Sequence, residues 1–126
     1  MKKIIKTDKA PAPLGPYNQA VLSGNTLYIS GQIAINPKTE ELVVDTIKSE
    51  TLQVMQNLKA VLNAADYSFD DVVKSSIFIS NMDNFVAINE VYGSFFDDAI
   101  APARETIQVA KLPKNVNVEI SMIASK

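Results

Sequence analysis

Between Thr46 and Asp66, the apolar residues Ile47, Met55, Leu58, Val61, Leu62 and Ala65 fall on one stripe of a 3.6-residue period, with Val54 at its edge. Lys48, Glu50, Gln56 and Lys59 lie elsewhere on the same period. A strand cannot present that spacing to one side. A long amphipathic helix, N-capped by Asp45 or Thr46 and ending near Asp66, is therefore the element around which the rest of the chain has to be arranged.

On either side of it the period falls toward two. "NQAVLSGNTLYISGQIAI" holds two β-rich runs about Ser23-Gly24-Asn25, a hairpin turn built from residues that tolerate positive φ. The second run ends at the turn Asn36-Pro37-Lys38-Thr39. "VVKSSIFIS", Val72 to Ser80, alternates as a strand, and a second helix carries Phe85, Ile88, Tyr92, Phe95 and Phe96. Two last strands, about Ala103 to Ala110 and Val116 to Ile123, flank the turn Leu112-Pro113-Lys114-Asn115. The stretch "KAPAPLGPY" holds three of the six prolines and reads as an extended or turning loop.

The order β-β-β-α-β-α-β-β predicts an α+β fold, a single-layer mixed sheet with both helices packed on one face. With 126 residues, no repeat and no linker in its middle, the chain reads as one domain over residues 1–126. Alternation separates Ile107 and Val109 from Arg104, Thr106, Gln108 and Ala110, and Val118 and Ile120 from Asn117, Glu119 and Ser121. If the aliphatic sets pack on the helices, the others face outward together. That outer face also carries Ala110, Ile123 and Phe78, a mixture that suits a subunit interface in a closed homo-oligomer.

The chemistry open to the chain is narrow. It has no cysteine and no histidine, which removes disulfides, thiolate nucleophiles, histidine triads and the usual zinc and haem ligand sets. Lys and Arg number 12 against 14 Asp and Glu, and no basic block stands out, so no nucleic-acid partner is expected. No run approaches a signal peptide or a membrane span, so a soluble, cytoplasmic protein without membrane contact is expected. Glycines are scattered, and no phosphate-binding loop occurs. Asp70-Asp71 and Asp97-Asp98 read as acidic pairs at helix ends or in loops, and no metal site is expected.

Five places stand out. Arg104 adjoins Glu105, but neighbours on a strand point to opposite faces, so the two do not readily pair; Arg104 is either a solvated side chain or a bidentate carboxylate binder. Glu119 interrupts the apolar strand "VNVEISMIA", on the face assigned to Arg104 and one hairpin away. It is an interface ion-pair partner or a tuned acid-base group. Asn89 falls on or beside the apolar stripe of the second helix, where a buried amide anchors a loop or meets a ligand. Tyr17 is a packed ring or an aromatic wall on a proline-stiffened loop. Ser30-Gly31 puts a glycine inside a strand, the sign of a bulge or of a close backbone approach by which a small acid could be bound.

"GPYNQAV", "LYISGQIAINPKTEEL", "FVAINEVYGSFF" and "PARETIQVAKLPKNVNVEI" resemble the Rid family of reactive intermediate (enamine/imine) deaminases, in particular its RidA branch, over nearly the whole chain. The resemblance implies a fold like that of the trimeric chorismate mutases and a homotrimer with an active site in each intersubunit cleft. It makes Arg104 the carboxylate-binding arginine and Glu119 the water-orienting glutamate, with Tyr17, Ser30, Gly31, Asn89 and Thr106 lining the substrate site. Thr106 stands where some relatives have a cysteine. Glu105 departs from the family, whose members usually have a small or apolar residue there, and is expected to affect stability or the subunit contact. The implied reaction turns short 2-enamine or 2-imino acids (2-aminoacrylate/2-iminopropanoate, 2-iminobutanoate) into 2-keto acids and ammonia with no cofactor. Rival readings are a non-catalytic regulatory trimer that binds small carboxylates, an RNA binder or ribonuclease, and a chaperone-like trimer.

Overall fold

The computed structural model describes residues 1–126. Six strands form one mixed sheet: β1 (Lys2–Ile5), β2 (Ala20–Ser23), β3 (Thr26–Gln32), β4 (Val72–Ile79), β5 (Ala103–Gln108) and β6 (Val118–Ser125), in the spatial order β1-β2-β3-β6-β4-β5. Helices α1 (Ile47–Ala64) and α2 (Phe85–Gly93) cover one face, so the α+β arrangement read from the sequence is the observed one. Strand β1 lies in the lysine-rich N-terminal stretch. The β2–β3 connection has Gly24 at φ 60, the positive value that the first position of a two-residue II′ loop needs.

Thr46 caps α1 through a reciprocal box, its hydroxyl accepting from Ser49 N and its own N–H donating to Ser49 Oγ. The helix lays Val54, Met55, Leu58, Val61 and Leu62 against Leu27, Ile29, Ile120 and Met122 of the sheet in one buried cluster. Its inward face is wider than the aliphatic stripe, because Glu50, Thr51 and Asn57 are buried as well. Asn57 fits there by donating from Nδ2 to Ile33 O at 3.1 Å and Ile35 O at 2.9 Å. The second helix stops at Gly93, earlier than expected. Phe95 and Phe96 lie beyond it and pack on Phe69 with ring centroids 5.2 and 5.4 Å apart.

The last two strands depart most from expectation. They do not form a hairpin: β4 lies between them, antiparallel to β6 and parallel to β5. A parallel neighbour needs a crossover, and α2 supplies it, returning the chain to the free edge of β4. Residues paired in register share a face. Arg104 pairs with Ser75 and Thr106 with Ile77, both on the helix side, whereas Glu119 pairs with Phe78 on the uncovered side. Arg104 and Glu119 therefore lie on opposite faces of the sheet in one subunit, and the shared outer face expected for them is corrected. The expectation failed because it took the aliphatic set of β5 as the inward one. On this edge strand Ile107 instead faces outward and is 47 % exposed, while Arg104 packs its guanidinium on α2.

The same register settles Glu105. It joins Lys74 across β4–β5 at 2.8 Å and accepts from Ser76 Oγ. These two hydrogen bonds, Lys74 first, hold its carboxyl below the ordinary range. A depressed carboxylate adds stability above its unfolded pKa and loses it as pH falls through the folded value. An exposed pair of this kind contributes little.

Candidate functional site

The site residues come together in two groups, one on each face. On the helix side, Arg104 Nη1 donates to Asn89 Oδ1 at 2.6 Å. The guanidinium carbon lies 5.2 Å from the Tyr92 ring centroid and 5.7 Å from that of Phe85. Stacking on two rings fixes the plane of the fork and leaves the other N–H donors free. Tyr92 is held by a 2.9 Å hydrogen bond from its hydroxyl to Ser75 Oγ. Burial pushes its phenol up, against the Ser75 hydrogen bond and the Arg104 charge, which pull down. No acidic side chain lies within ion-pair distance of Arg104, since the two ion pairs are Lys48–Glu90 and Lys74–Glu105.

Asn89 is exposed, not a buried amide that anchors a loop. Its spacing from Phe85 and Tyr92 puts it beside the aromatic stripe, where its oxygen meets the arginine. Thr106 follows Arg104 on the same face, and its Oγ1 is the one buried side-chain polar atom with no hydrogen-bond partner. A buried hydroxyl left unpaired costs about 1–3 kcal/mol, which a ligand group could recover.

On the other face, a pocket of about 270 Å³ is lined by Tyr17, Gly31, Ile33, Pro113, Lys114 and Glu119, among others. The β3–β6 register shifts between Ile29 and Gln32, so Gly31 sits at the bulge that its place in a strand suggested. The Glu119 carboxyl lies against it so closely that a Cβ at position 31 would come within 2.7 Å of Oε2 and 2.8 Å of Cδ. Glu119 has neither a cation nor a hydrogen-bond donor, and burial pushes its carboxyl above the ordinary range. Tyr17 is 49 % exposed at the pocket wall, its hydroxyl oxygen near Leu14 N at 3.4 Å.

Ser30 spends its donors on the loop, Oγ to Asn18 O at 2.5 Å and N to Gln19 O at 2.9 Å. Sequence reasoning missed Gln19, which is 3 % exposed. Its Oε1 accepts from Thr7 N at 2.7 Å, and its Nε2 reaches the carbonyls of Thr7, Ala10 and Pro11 at 3.0, 3.2 and 2.9 Å. The proline-rich segment offered a signal, since prolines lack N–H groups and leave carbonyls in want of a donor. Glu50 was missed too; its carboxyl is buried against the start of β6.

Comparison with known proteins adds to this. The family model described as Endoribonuclease L-PSP matches residues 7–126. A 2-iminobutanoate/2-iminopropanoate deaminase of Dermatophagoides farinae is 51% identical over 97% of this chain and 94% of its own length. A RutC family protein of Pyrococcus horikoshii is 48% identical over 100% of this chain and 99% of its own. Among solved structures, Escherichia coli TdcF with bound serine superposes with a TM-score of 0.92 at 42% identity, covering 98% of both chains. A match along nearly the full length, by sequence and by fold, places the chain in the Rid family, to which the Endoribonuclease L-PSP model belongs.

Proposed function

We propose that this protein is a hydrolase of short 2-imino acids and their enamine tautomers, releasing 2-keto acids and ammonia, and that it works as a homotrimer with active sites between subunits. The observation that carries the reading is Glu119, a half-buried carboxyl in a pocket, with no partner and an affinity for protons above the ordinary. Capture of a carboxylate needs only the guanidinium of Arg104. A proton acceptor facing empty space is what activation of water needs. The name of the Dermatophagoides relative supports the chemistry, and serine in TdcF supports a site of amino-acid size. The opposite faces of Arg104 and Glu119 support completion of each site by a second copy, whose Arg104 would meet this subunit's Glu119.

In such a site Arg104 takes the substrate carboxylate in two parallel charge-assisted bonds. This holds the imine carbon at the Glu119 carboxylate, which removes a proton from water as the oxygen attacks. The C=N π electrons pass to nitrogen, which takes that proton from Glu119, and a neutral carbinolamine results. Glu119 then relays the hydroxyl proton of the carbinolamine to that nitrogen, the C–N bond breaks with ammonia as the leaving group, and the C–O bond becomes the ketone carbonyl. The RNA reading has less support, for the chain has no histidine and a net charge of -2.

The test is a coupled assay in which a PLP-dependent dehydratase generates 2-aminoacrylate in the presence of the protein. Ammonia and pyruvate should form faster than by spontaneous hydrolysis; equal rates would overturn the reading. Gly31→Ala probes the pocket in the same assay. The atoms its Cβ meets belong to the end of the Glu119 side chain, which can swing aside. Stability should therefore fall by less than about 1.5 kcal/mol, while kcat falls about 10- to 100-fold because the carboxylate is displaced.

A further inference from the structure

Glu50 is the one charged side chain with no exposed surface, and it meets no cation. All its partners lie at the entry to β6. Asn117 N donates to Oε2 at 2.8 Å, Asn117 Nδ2 to Oε1 at 2.8 Å, and Val118 N to Oε2 at 3.2 Å. From the other side, Asn117 O accepts from Ser80 N at 3.1 Å and its Oδ1 from Ser80 Oγ at 3.4 Å. The two residues directly before Glu119 are thus clamped between α1 and the end of β4. Filling the core would need only an apolar side chain, without the cost of burying a carboxyl. What the carboxyl adds is direction.

We propose that Glu50 is a positioning residue for Glu119: by fixing the backbone of residues 117 and 118 from the helix side, it aims the next side chain across the sheet against Gly31 and into the pocket. The catalytic part of this rests on the proposed role of Glu119 as proton acceptor. The geometric part does not.

Three variants separate position from charge. Glu50→Asp keeps an acid but is one methylene too short to reach both residues. Glu50→Gln keeps length and shape without the acid, and Asn117 can turn its amide end for end to offer the new NH2 an oxygen. Glu119→Gln identifies the Glu119 signal in protein carrying carboxyl-13C glutamate. The other titratable side chains that line the pocket, Tyr17 and Lys114, stay unchanged. In Glu50→Asp, Glu119 should titrate nearer the ordinary carboxylate range, and kcat should fall about tenfold with KM unchanged. In Glu50→Gln, the titration and kcat should stay near those of the parent.

An unmoved Glu119 titration in folded Glu50→Asp would overturn the proposal, leaving Glu50 as a brace between helix and sheet. So would a shift in Glu50→Gln as large as in Glu50→Asp, which would assign the effect to charge acting through space. Should Glu50→Asp not fold, Asn117→Ala serves instead, since it removes the amide's bonds with Glu50 Oε1 and Ser80 Oγ and keeps both backbone donors to Glu50; an unmoved Glu119 there would likewise overturn the proposal. If the parent turns over no imine, the titrations still decide, and the deaminase reading fails by itself.

Discussion

Replacing Glu119 with glutamine will lower kcat for 2-iminopropanoate hydrolysis by about 10²- to 10⁴-fold, the range a positioned general base supplies. Glutamine is nearly isosteric and fits beside Gly31, but it cannot take a proton from water. Ligand binding should survive, so a 2-keto acid should still raise the melting temperature of the variant. Retained turnover would sink the role of Glu119. Lost protection together with lost turnover would mean that the carboxyl binds ligand instead of activating water. The pH profile is a second readout. Because burial raises the Glu119 pKa, the acid limb of the parent's kcat should lie above the ordinary carboxylate range, and it should vanish in the variant. The sign for stability is opposite to that for activity. A raised folded pKa means that the protonated form fits the fold better, so its stabilising contribution is complete below the unfolded pKa and lost as pH rises through the folded value. Thermal unfolding at neutral pH should then show the glutamine variant at least as stable as the parent.

The second large effect is expected at Arg104. Two charge-assisted hydrogen bonds to a substrate carboxylate contribute about 3 kcal/mol together, so Arg104→Ala should lower kcat/KM on the order of 10²-fold. Arg104→Lys should recover little, since a point charge does not reproduce the fork that Asn89 and the Tyr92 and Phe85 rings hold in place. Steady-state kinetics on protein that still assembles checks this. Full activity in Arg104→Ala would remove the arginine from the site, and full rescue by lysine would remove the argument from its planar geometry.

How far these residues were legible in the sequence depends on the range of the interaction that places them. The Thr46 cap, the Gly24 turn and the β6 alternation are local, and each is where its residues put it. Arg104, Glu119 and Gly31 stood out by chemical type in unusual settings, and family motifs pointed to the same positions. Their arrangement did not follow, because a side chain's face on an edge strand is set by its neighbour. That neighbour is β4, brought to β5 by a crossover that alternation within β5 does not encode. Glu50 was hidden for a related reason. A glutamate on a helix is ordinarily solvated, and this one finds its donors 67 residues away. Glu105, ambiguous beside Arg104, became plain once Lys74 and Ser76 were opposite it.

The loop stitched by Gln19 bears on the timing of capture. Three prolines limit its conformations beforehand, and the amide ties its carbonyls down, so the entropy of ordering the Tyr17 wall is lost once, during folding, and not at each encounter. On the proposed reaction, a substrate would meet this wall already ordered and would not bear that part of the entropy cost. For a substrate of the proposed kind, which hydrolyses in water unaided, an enzyme would compete against a clock, and a wall already standing would shorten the race.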